Sequence, residues 1–195
     1  INALTDTVVG DNIVADPAPP GGFWDFDYPR IYPPSPCVDG GTALGAGNLI
    51  SGNVKTMPVG VWDGGVGITV SGDDAVVIEG NLIGTDVSGT VDLGNGSTGV
   101  VILDTSQNTI GGTSPEARNV ISGNDLNGVS INTGASVSNT VVLGNRIGTD
   151  ATGTLPVPNA SAGVQIQSGT GVTIGGTNAG ASNVIAFNGG AGVTV

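Results

Sequence analysis

The stretch Ile-Gly-Thr-Asp at residues 83–86 returns letter for letter at residues 147–150, at a spacing of 64. A fixed period of this length is typical of repeat architectures, in which each copy stacks on the next. Around it, Gly-Gly-Thr occurs three times, at residues 40–42, 111–113 and 175–177. These strings lie at spacings of 71 and 64, so the period extends over most of the chain.

Each Gly-Gly-Thr string is followed by two asparagines that lie five residues apart. The pairs are Asn48 and Asn53, Asn119 and Asn124, and Asn183 and Asn188. An Asn side chain can bond the backbone of a turn or an equivalent Asn in the next copy, so stacked asparagines form ladders. Neighbouring glycines supply positive φ where a corner needs it. We therefore expect Asn ladders at the corners of a stacked coil.

A third string, Gly-Val-x-Ile or close to it, marks short strands. It occurs at residues 65–68, 99–102, 128–131, 163–166 and 192–195. The spacings of 34, 29, 35 and 29 divide the 64-residue period into a short rung of 29 and a long rung of 35. Because side chains alternate along a strand, Val129 and Ile131 should point inward and Ser130 outward.

The apolar segments are short, rich in Val and Ile, and bounded by turn residues, which is typical of strands. Three per unit, as at residues 140–143, 146–148 and 164–166, fit a coil with three strand faces. Residues 7–16 also resemble residues 141–150. The sequence thus predicts an all-β solenoid of parallel strands with about six rungs, in repeats of 64–71 residues.

Composition excludes several functions. The 195 residues include 36 Gly, 11 Pro, one Cys and no His, and carry a formal net charge of -12. The presence of only four Lys and Arg residues argues against nucleic-acid binding. The absence of His excludes His-dependent triads and His zinc sites. Cys37 cannot form an internal disulfide, so we expect a buried thiol or an intermolecular bridge. The sequence contains no run of 18 apolar residues, so it predicts no membrane-spanning segment.

The strings N-x-I-x-G-N, I-G-T-D, I-G-G-T and G-V-x-I resemble those of right-handed parallel β-helix repeat proteins, found in large bacterial surface and secreted proteins. The resemblance covers residues 5–195, and it implies the right-handed coil. This pectate-lyase-like superfamily shape carries enzymes, adhesins and passive rods, so it indicates architecture rather than activity. The chain starts without Met and stops inside a repeated motif, so we expect residues 1–195 to be one solenoid segment of a longer chain.

Two predicted loops should leave the same edge of the solenoid, a Pro- and aromatic-rich loop at residues 17–36 and an extended loop at residues 54–64. They hold six of the seven aromatic residues, which are the candidate ligand-binding residues. These are Phe23, Trp24, Phe26, Tyr28, Tyr32 and Trp62. Exposed rings stack on sugars or anchor a protein partner. The alternative is a small satellite core that holds the Pro-rich loop against the rod.

Acidic residues give the other candidates. Asp73, Asp74 and Glu79 could serve acid-base chemistry or bind calcium, although a solvated turn is the favoured interpretation. Asp86 and Asp150 lie in T-D-x-[ST]-G-T loops. Turn capping is favoured there over calcium binding, because each loop offers a single carboxylate. We assign no catalytic residue, no metal site and no cofactor.

Two sequons stand at matching loop positions, at Asn95 and Asn159, one full period apart. An Asn-x-Ser string is an acceptor for N-glycosylation only where the Asn is accessible. We interpret both sequons as turns.

The expected function is a non-catalytic extracellular structural module, a spacer or fibre-forming β-helix rod of a cell-surface or secreted protein. Its partners would be copies of itself or adjoining repeats, stacked through open solenoid ends. The alternative is an adhesin, or a carbohydrate-binding or polysaccharide-cleaving β-helix, that uses the aromatic loop edge. As an enzyme it would be a polysaccharide lyase or glycoside hydrolase, with a polysaccharide or a surface protein as partner.

Overall fold

The computed structural model describes residues 47–53, 64–72, 74–132 and 137–195. Throughout these ranges the chain forms short β-strands joined by turns, without a helix. Accordingly, none of the described segments supplies a helix with the length and hydropathy needed to cross a membrane. All strand pairs of the three sheets are parallel, which confirms the predicted all-β solenoid.

The three sheets lie along the solenoid, and each takes every third strand of the chain. Sheet 1 contains β1 (Leu49–Ile50), β4 (Leu82–Ile83), β7 (Val120–Ile121), β10 (Arg146–Ile147) and β13 (Val184–Ile185). Sheet 2 contains β2 (Ile68–Ser71), β5 (Val100–Leu103), β8 (Val129–Asn132), β11 (Val164–Ile166) and β14 (Val193–Thr194). Sheet 3 contains β3 (Val77–Ile78), β6 (Thr109–Gly111), β9 (Val141–Leu143) and β12 (Thr173–Ile174).

Three consecutive strands, one from each sheet, make one coil. Coils 1 to 4 begin at β1, β4, β7 and β10, and coil 5 consists of β13 and β14. The predicted count of about six rungs is therefore too high for the described residues, which hold about four. The first predicted rung, at residues 7–16, lies outside them. The right-handed sense of the coil stays a prediction.

The predicted inward side chains of β8 are buried. Val129 and Ile131 are fully buried. Ser130 takes the opposite face of β8, where its hydroxyl lies 3.4 Å from Oε1 of Gln165 in the next coil. Ser130 is also buried, at 3% exposed, so burial in β8 does not alternate as the side-chain directions do.

The predicted position of the strand motif in coil 1 is wrong by two residues. Ile68 pairs with Val100, so Gly67 rather than Gly65 takes the motif's first position. Gly67 fits because a methyl group there would lie 2.6 Å from the carbonyl oxygen of Gly99 in the next coil. Contact between coils thus fixes the register, and the letters G-V-G-I at residues 65–68 match the motif by chance.

The interior is a column of Val and Ile side chains from all three sheets. Its fully buried members are Ile83, Val100, Ile102, Ile110, Ile121, Val129, Ile131, Val142, Ile147 and Val164. Burying each such side chain contributes about 1.5–3 kcal/mol relative to leaving it exposed. Because branched aliphatic side chains fill the narrow coil, the described core contains no aromatic ring.

The three sheets meet at three corners. Corner 1 precedes each sheet 1 strand, corner 2 follows it, and corner 3 joins sheet 2 to sheet 3. At corner 3 the residue two positions before each sheet 3 strand has positive φ: Ala75 (60°), Gln107 (60°), Asn139 (54°) and Gly171 (67°). Glycine was expected at such positions, yet three of these four carry side chains. Left-handed backbone costs a side-chain-bearing residue about 1–2 kcal/mol, so coil stacking must offset this strain.

Candidate functional site

A continuous ladder of asparagine amides runs along corner 1. Each Nδ2 donates to Oδ1 of the asparagine in the following coil. The four steps join Asn48 to Asn81 (3.0 Å), Asn81 to Asn119 (3.1 Å), Asn119 to Asn145 (2.9 Å) and Asn145 to Asn183 (3.2 Å). We call this the first ladder. It confirms the expected Asn stacking and adds two members, Asn81 and Asn145, that the sequence did not single out.

The second ladder runs along corner 2 in the same direction. Its four steps join Asn53 to Asn95 (2.8 Å), Asn95 to Asn124 (2.8 Å), Asn124 to Asn159 (2.8 Å) and Asn159 to Asn188 (2.9 Å). The last three steps span 29, 35 and 29 residues, which are the predicted short and long rungs. Spacing was therefore the signal that could have placed Asn95 and Asn159 in the ladder.

The amide of a ladder asparagine is bonded on every side. Oδ1 of Asn119 accepts from the backbone N–H of Asn81 (2.9 Å) and from its Nδ2 (3.1 Å). Nδ2 of Asn119 donates to Oδ1 of Asn145 (2.9 Å) and to the carbonyl of Ile78 (2.8 Å). An amide has two N–H donors and an oxygen with two lone pairs, so Asn119 uses its full capacity.

The asparagines of both sequons belong to the second ladder. Asn95 and Asn159 are completely buried, and Nδ2 of each donates to the next asparagine and to a backbone carbonyl. Glycosylation joins a sugar to this nitrogen and needs it exposed. The folded chain therefore offers no acceptor at these two positions.

In coils 1 to 4, the glycine immediately before the sheet 2 strand makes room for the second ladder. A methyl group on Gly128 would lie 2.7 Å from Cγ2 of Ile147 and 2.9 Å from Nδ2 of Asn159. Gly99 has the same relation to Ile121 and Asn124, each at 2.8 Å. The G-V-x-I motif and the asparagines are thus parts of one packing arrangement.

A serine on coil 1 and another on coil 3 hold the loops of coils 2 and 4. Oγ of Ser122 donates to the carbonyl of Thr149 (2.7 Å) and accepts from the N–H of Gly148 (3.0 Å). Ser51 makes the same two bonds to coil 2. The alternation of I-S-G-N with I-G-T-D was the sequence signal for this contact, which the sequence interpretation missed.

The Asp86 carboxylate caps its own loop. Its Oδ1 accepts from the backbone N–H groups of Thr90 and Val91, both at 3.0 Å, and the Ser88 hydroxyl donates to Oδ2 at 2.7 Å. These bonds, led by the one from Val91, lower the pKa of Asp86 to about 2. This arrangement confirms the predicted turn cap.

Asp150 repeats the cap in coil 4. Its Oδ1 accepts from the N–H groups of Thr154 (2.9 Å) and Leu155 (3.0 Å), and the Thr152 hydroxyl donates to Oδ2 (2.7 Å). Burial alone would raise the pKa of Asp150. The bonds from Leu155, Thr152 and Thr154 outweigh this effect and bring the pKa to about 2.

The two capped loops touch each other, although their coils are not neighbours. The N–H of Ala151 donates to the carbonyl of Gly89 (2.9 Å). Coil 3 lies between them and has only a short connection, in which the N–H of Gly123 donates to the carbonyl of Val157 (3.2 Å). We call residues 86–93 and 150–157 together the loop ridge. The two long loops can meet because the coil between them has only a short connection.

Arg146 supports this ridge from below. It occupies the sheet 1 position of Leu82 in coil 2, and its guanidinium contacts Gly153. Burial lowers the pKa of Arg146, the Arg118 charge lowers it further, and Asp150 opposes both. The long side chain of Arg146 thus takes the packing role that Leu82 has next to Gly89. A methyl group on Gly89 would lie 3.3 Å from Cδ2 of Leu82.

Two of the three candidate acids, Asp74 and Glu79, are described, and they lie at opposite ends of β3. Oδ1 of Asp74 accepts from the backbone N–H of Ser106 (2.5 Å) at corner 3, and Glu79 lies on the other side of β3. Asp73 lies outside the described residues. The contact of Asp74 agrees with the favoured interpretation of a turn.

One further carboxylate pair lies at the edge of the loop ridge. Burial raises the pKa of Asp92, the N–H of Gly94 opposes this, and the charge of Asp125 raises it again. Within the described ranges, no group of three or more His, Cys, Asp or Glu is placed to hold a metal ion.

The six candidate aromatic residues, Phe23, Trp24, Phe26, Tyr28, Tyr32 and Trp62, lie outside the described residues, as does Cys37. So do residues 17–36 and nearly all of the extended loop at residues 54–64. The proposed sugar platform and the expected thiol environment therefore stay predictions. Comparison with protein-family models, with curated proteins and with solved structures gave no match.

Proposed function

We propose that the chain is a non-catalytic extracellular structural module, a spacer or fibre-forming rod of a cell-surface or secreted protein. The pair of Asn ladders carries this proposal. In the described coils, ten Asn side chains form hydrogen bonds that hold one coil to the next. A binding site presents such groups to a ligand, whereas a rod uses them for stiffness.

The way load would pass along the rod supports the same function. Coils 1 to 4 contact one another through three sheets, two ladders and a packed Val/Ile interior. Stability in such a stack is a sum of coil stabilities and nearest-neighbour terms, so the rod can be lengthened without a new design. A formal net charge of -12 opposes non-specific association at low salt.

The resemblance of the motifs to right-handed parallel β-helix repeats of bacterial surface and secreted proteins supports the extracellular setting. We include the right-handed, pectate-lyase-like shape in the proposal on this ground. The same resemblance extends to enzymes and adhesins, so it supports the location more than the role.

Single-molecule stretching of the full chain tests the mechanical part. We expect unfolding in steps, and a two-coil step of 64 residues releases about 210–230 Å of extended chain. Asn124→Ala should lower the unfolding force, because it removes a ladder bond on either side. Asn178→Ala, at an exposed loop position, is the matched control. Equal forces for the two variants would contradict a load-bearing ladder.

Electron microscopy of the full chain at physiological salt tests the fibre part. We expect end-to-end filaments that lengthen with protein concentration. Uniformly single particles over the whole concentration range would remove fibre formation and leave the spacer role.

A carbohydrate-binding or adhesive role of the aromatic loop edge is the second proposal, and it rests on the six clustered rings in the sequence. A panel of acidic and neutral polysaccharides, with and without calcium, separates the two proposals. Binding that is lost in a Trp24→Ala, Trp62→Ala double variant would favour the platform. Release of unsaturated or reducing ends by the purified chain would refute the non-catalytic assignment.

A further inference from the structure

Corner 3 differs from the other two corners because its inward column is only partly polar. The column contains Val76, Asn108, Thr140 and Val172 in coils 1 to 4, as the pairing of β3, β6, β9 and β12 fixes. Asn108 is 1% exposed and Thr140 is fully buried. Two polar side chains are thus enclosed between apolar neighbours.

Asn108 begins a ladder like those of corners 1 and 2. Its Oδ1 accepts from the backbone N–H of Val76 in the preceding coil (3.1 Å), as ladder oxygens do. Its Nδ2 donates to Oγ1 of Thr105 (2.8 Å), which is also buried. An amide nitrogen carries two hydrogens, and Thr105 takes one of them.

Thr140 does not continue this ladder. Its Oγ1 is buried and has no hydrogen-bond partner among the described residues. A hydroxyl oxygen is attached directly to Cβ, whereas an amide oxygen stands one bond further out. Thr140 therefore reaches less far toward coil 2 than an asparagine would. Buried hydroxyls in folded proteins nearly always have a partner, either from the protein or from ordered water.

We propose that corner 3 binds one water molecule inside the coil, between Thr140 of coil 3 and Asn108 of coil 2. The chemistry of the column selects water. Val76, Thr105, Asn108, Thr140 and Val172 carry no charge, so an ion there would be buried without a counter-charge. An apolar guest would leave the hydroxyl unbonded, whereas water can bond both groups and needs two to four polar partners.

A crystal structure of the full chain, at a resolution that shows ordered water, tests the site directly. We expect a water oxygen at hydrogen-bond distance from both Thr140 Oγ1 and the Asn108 side chain. A dry corner, or a hydroxyl bonded to a protein atom, would overturn the proposal.

Thr140→Val gives an independent test with opposite signs for the two cases. If water is bound, valine removes one of its partners, and the melting temperature should fall by about 2–4 °C. If the hydroxyl is unbonded, valine removes a buried polar group, and the melting temperature should rise. An unchanged or higher value therefore overturns the proposal.

Two further variants serve as controls for this test. Thr149→Val removes a fully buried hydroxyl that donates to the carbonyl of Asp150 (3.1 Å), so it gives the cost of losing one satisfied hydroxyl. Thr140→Ser keeps the hydroxyl and should keep the water in a crystal structure even if Thr140→Val does not fold. Loss of the water from Thr140→Ser, with the serine hydroxyl in the same position, also contradicts the assignment.

Discussion

At the scale of the residue, the choice of Asn at corners 1 and 2 follows from donor count and reach. Aspartate has the same shape but lacks the two N–H donors, and serine has the donor but not the reach. The amide of Asn119 needs both, because it donates to Asn145 and Ile78 while accepting from Asn81. A ladder position thus specifies one residue type.

Asn119→Asp tests this requirement. It replaces two donors by an oxygen that faces Oδ1 of Asn145 and the carbonyl of Ile78, in a fully buried site. We expect a loss of about 3–5 kcal/mol in the free energy of unfolding at pH 7, because an unpaired charge is buried. Urea titration measures it, with the exposed Asn178→Asp as control. A loss no larger than that of the control would contradict the ladder's role.

The pH dependence of Asn119→Asp has a defined sign. Burial raises the pKa of the new carboxyl above its unfolded value, so the destabilisation is present at high pH and declines as the pH falls through the raised pKa. Urea titrations of this variant at successively lower pH should therefore approach the wild-type value.

Asp86 and Asp150 have the opposite pH dependence. Each has its folded pKa lowered to about 2 from an ordinary value of 3.8, so its contribution to stability is present above that ordinary value. The contribution is lost as the pH falls through about 2. We expect the Asp86→Asn, Asp150→Asn double variant to melt lower than the wild type at pH 6 and to converge with it near the folded pKa.

Melting curves recorded between pH 6 and the folded pKa measure this convergence. Asp104→Asn is the matched control, because Asp104 is exposed and Asn also tolerates its positive φ of 52°. A constant difference between the double variant and the wild type at all pH values would show that the caps act without their charge.

Sequence reasoning worked for residues whose role is local. The caps of Asp86 and Asp150 follow from turn chemistry within each loop, so they could be predicted. Ladder membership of Asn95 and the register of Gly67 depend on atoms of another coil, a whole rung further along the chain. Nothing local distinguishes them from an ordinary turn asparagine or a strand glycine.

At the scale of the element, strands of two to four residues are stable only because every one is paired within a stacked sheet. Isolated strands of this length would not hold. A glycine precedes the sheet 2 strand in each of coils 1 to 4, where the following coil approaches closely. The three-strand coil could be predicted from the spacing of these short segments, whereas the shift at residues 65–68 shows that the motif letters alone do not define the register.

Gly128→Ala tests the glycine immediately before β8. Its φ is not in the left-handed region, so the cost comes from overlap of the new methyl group with Gly163 and Ile147, each at 2.7 Å. We expect a loss of at least about 2 kcal/mol in the free energy of unfolding, the cost of overpacking against backbone.

Gly192→Ala is the matched control for Gly128→Ala. It takes the same motif position in coil 5, where the nearest contact is Cγ2 of Ile185 at 3.7 Å. Because this contact is an ordinary one, the control should change the melting temperature little. Equal losses for both variants would mean that backbone conformation, rather than the neighbouring coil, demands glycine.

At the scale of the whole molecule, the unit of the rod is the pair of coils rather than the single coil. Ser122 on an odd coil holds the loop of the next even coil, and the long loops meet across the short coil at Ala151 and Gly89. The 64-residue period could be read from the sequence, but this reason for it could not, because both contacts join residues of different coils.

Deletions distinguish the pair from the single coil as the structural unit. Removing residues 82–145 joins Asn81 to Arg146 and takes out coils 2 and 3. Coil 4 then follows coil 1, Ser51 faces Gly148 as it faced Gly84, and Asn53 meets Asn159 in the second ladder. Although the contact of Ala151 with Gly89 is lost, the serine and ladder contacts are replaced by their equivalents, so we expect a cooperative transition with a melting temperature near that of the full chain.

Removing residues 82–119 takes out coil 2 alone and joins Asn81 to Val120. Coil 3 then follows coil 1, so Ser51 faces Ser122 without a long loop to hold. The contact of Ala151 with Gly89 is lost in both deletions, so the serine contact distinguishes them. If stability simply summed over coils, this longer chain would melt higher than the two-coil deletion. We expect the reverse order, because one deletion preserves the alternation of short and long rungs and the other breaks it. Thermal unfolding followed by circular dichroism measures both, and the additive order would show that neighbouring coils are interchangeable.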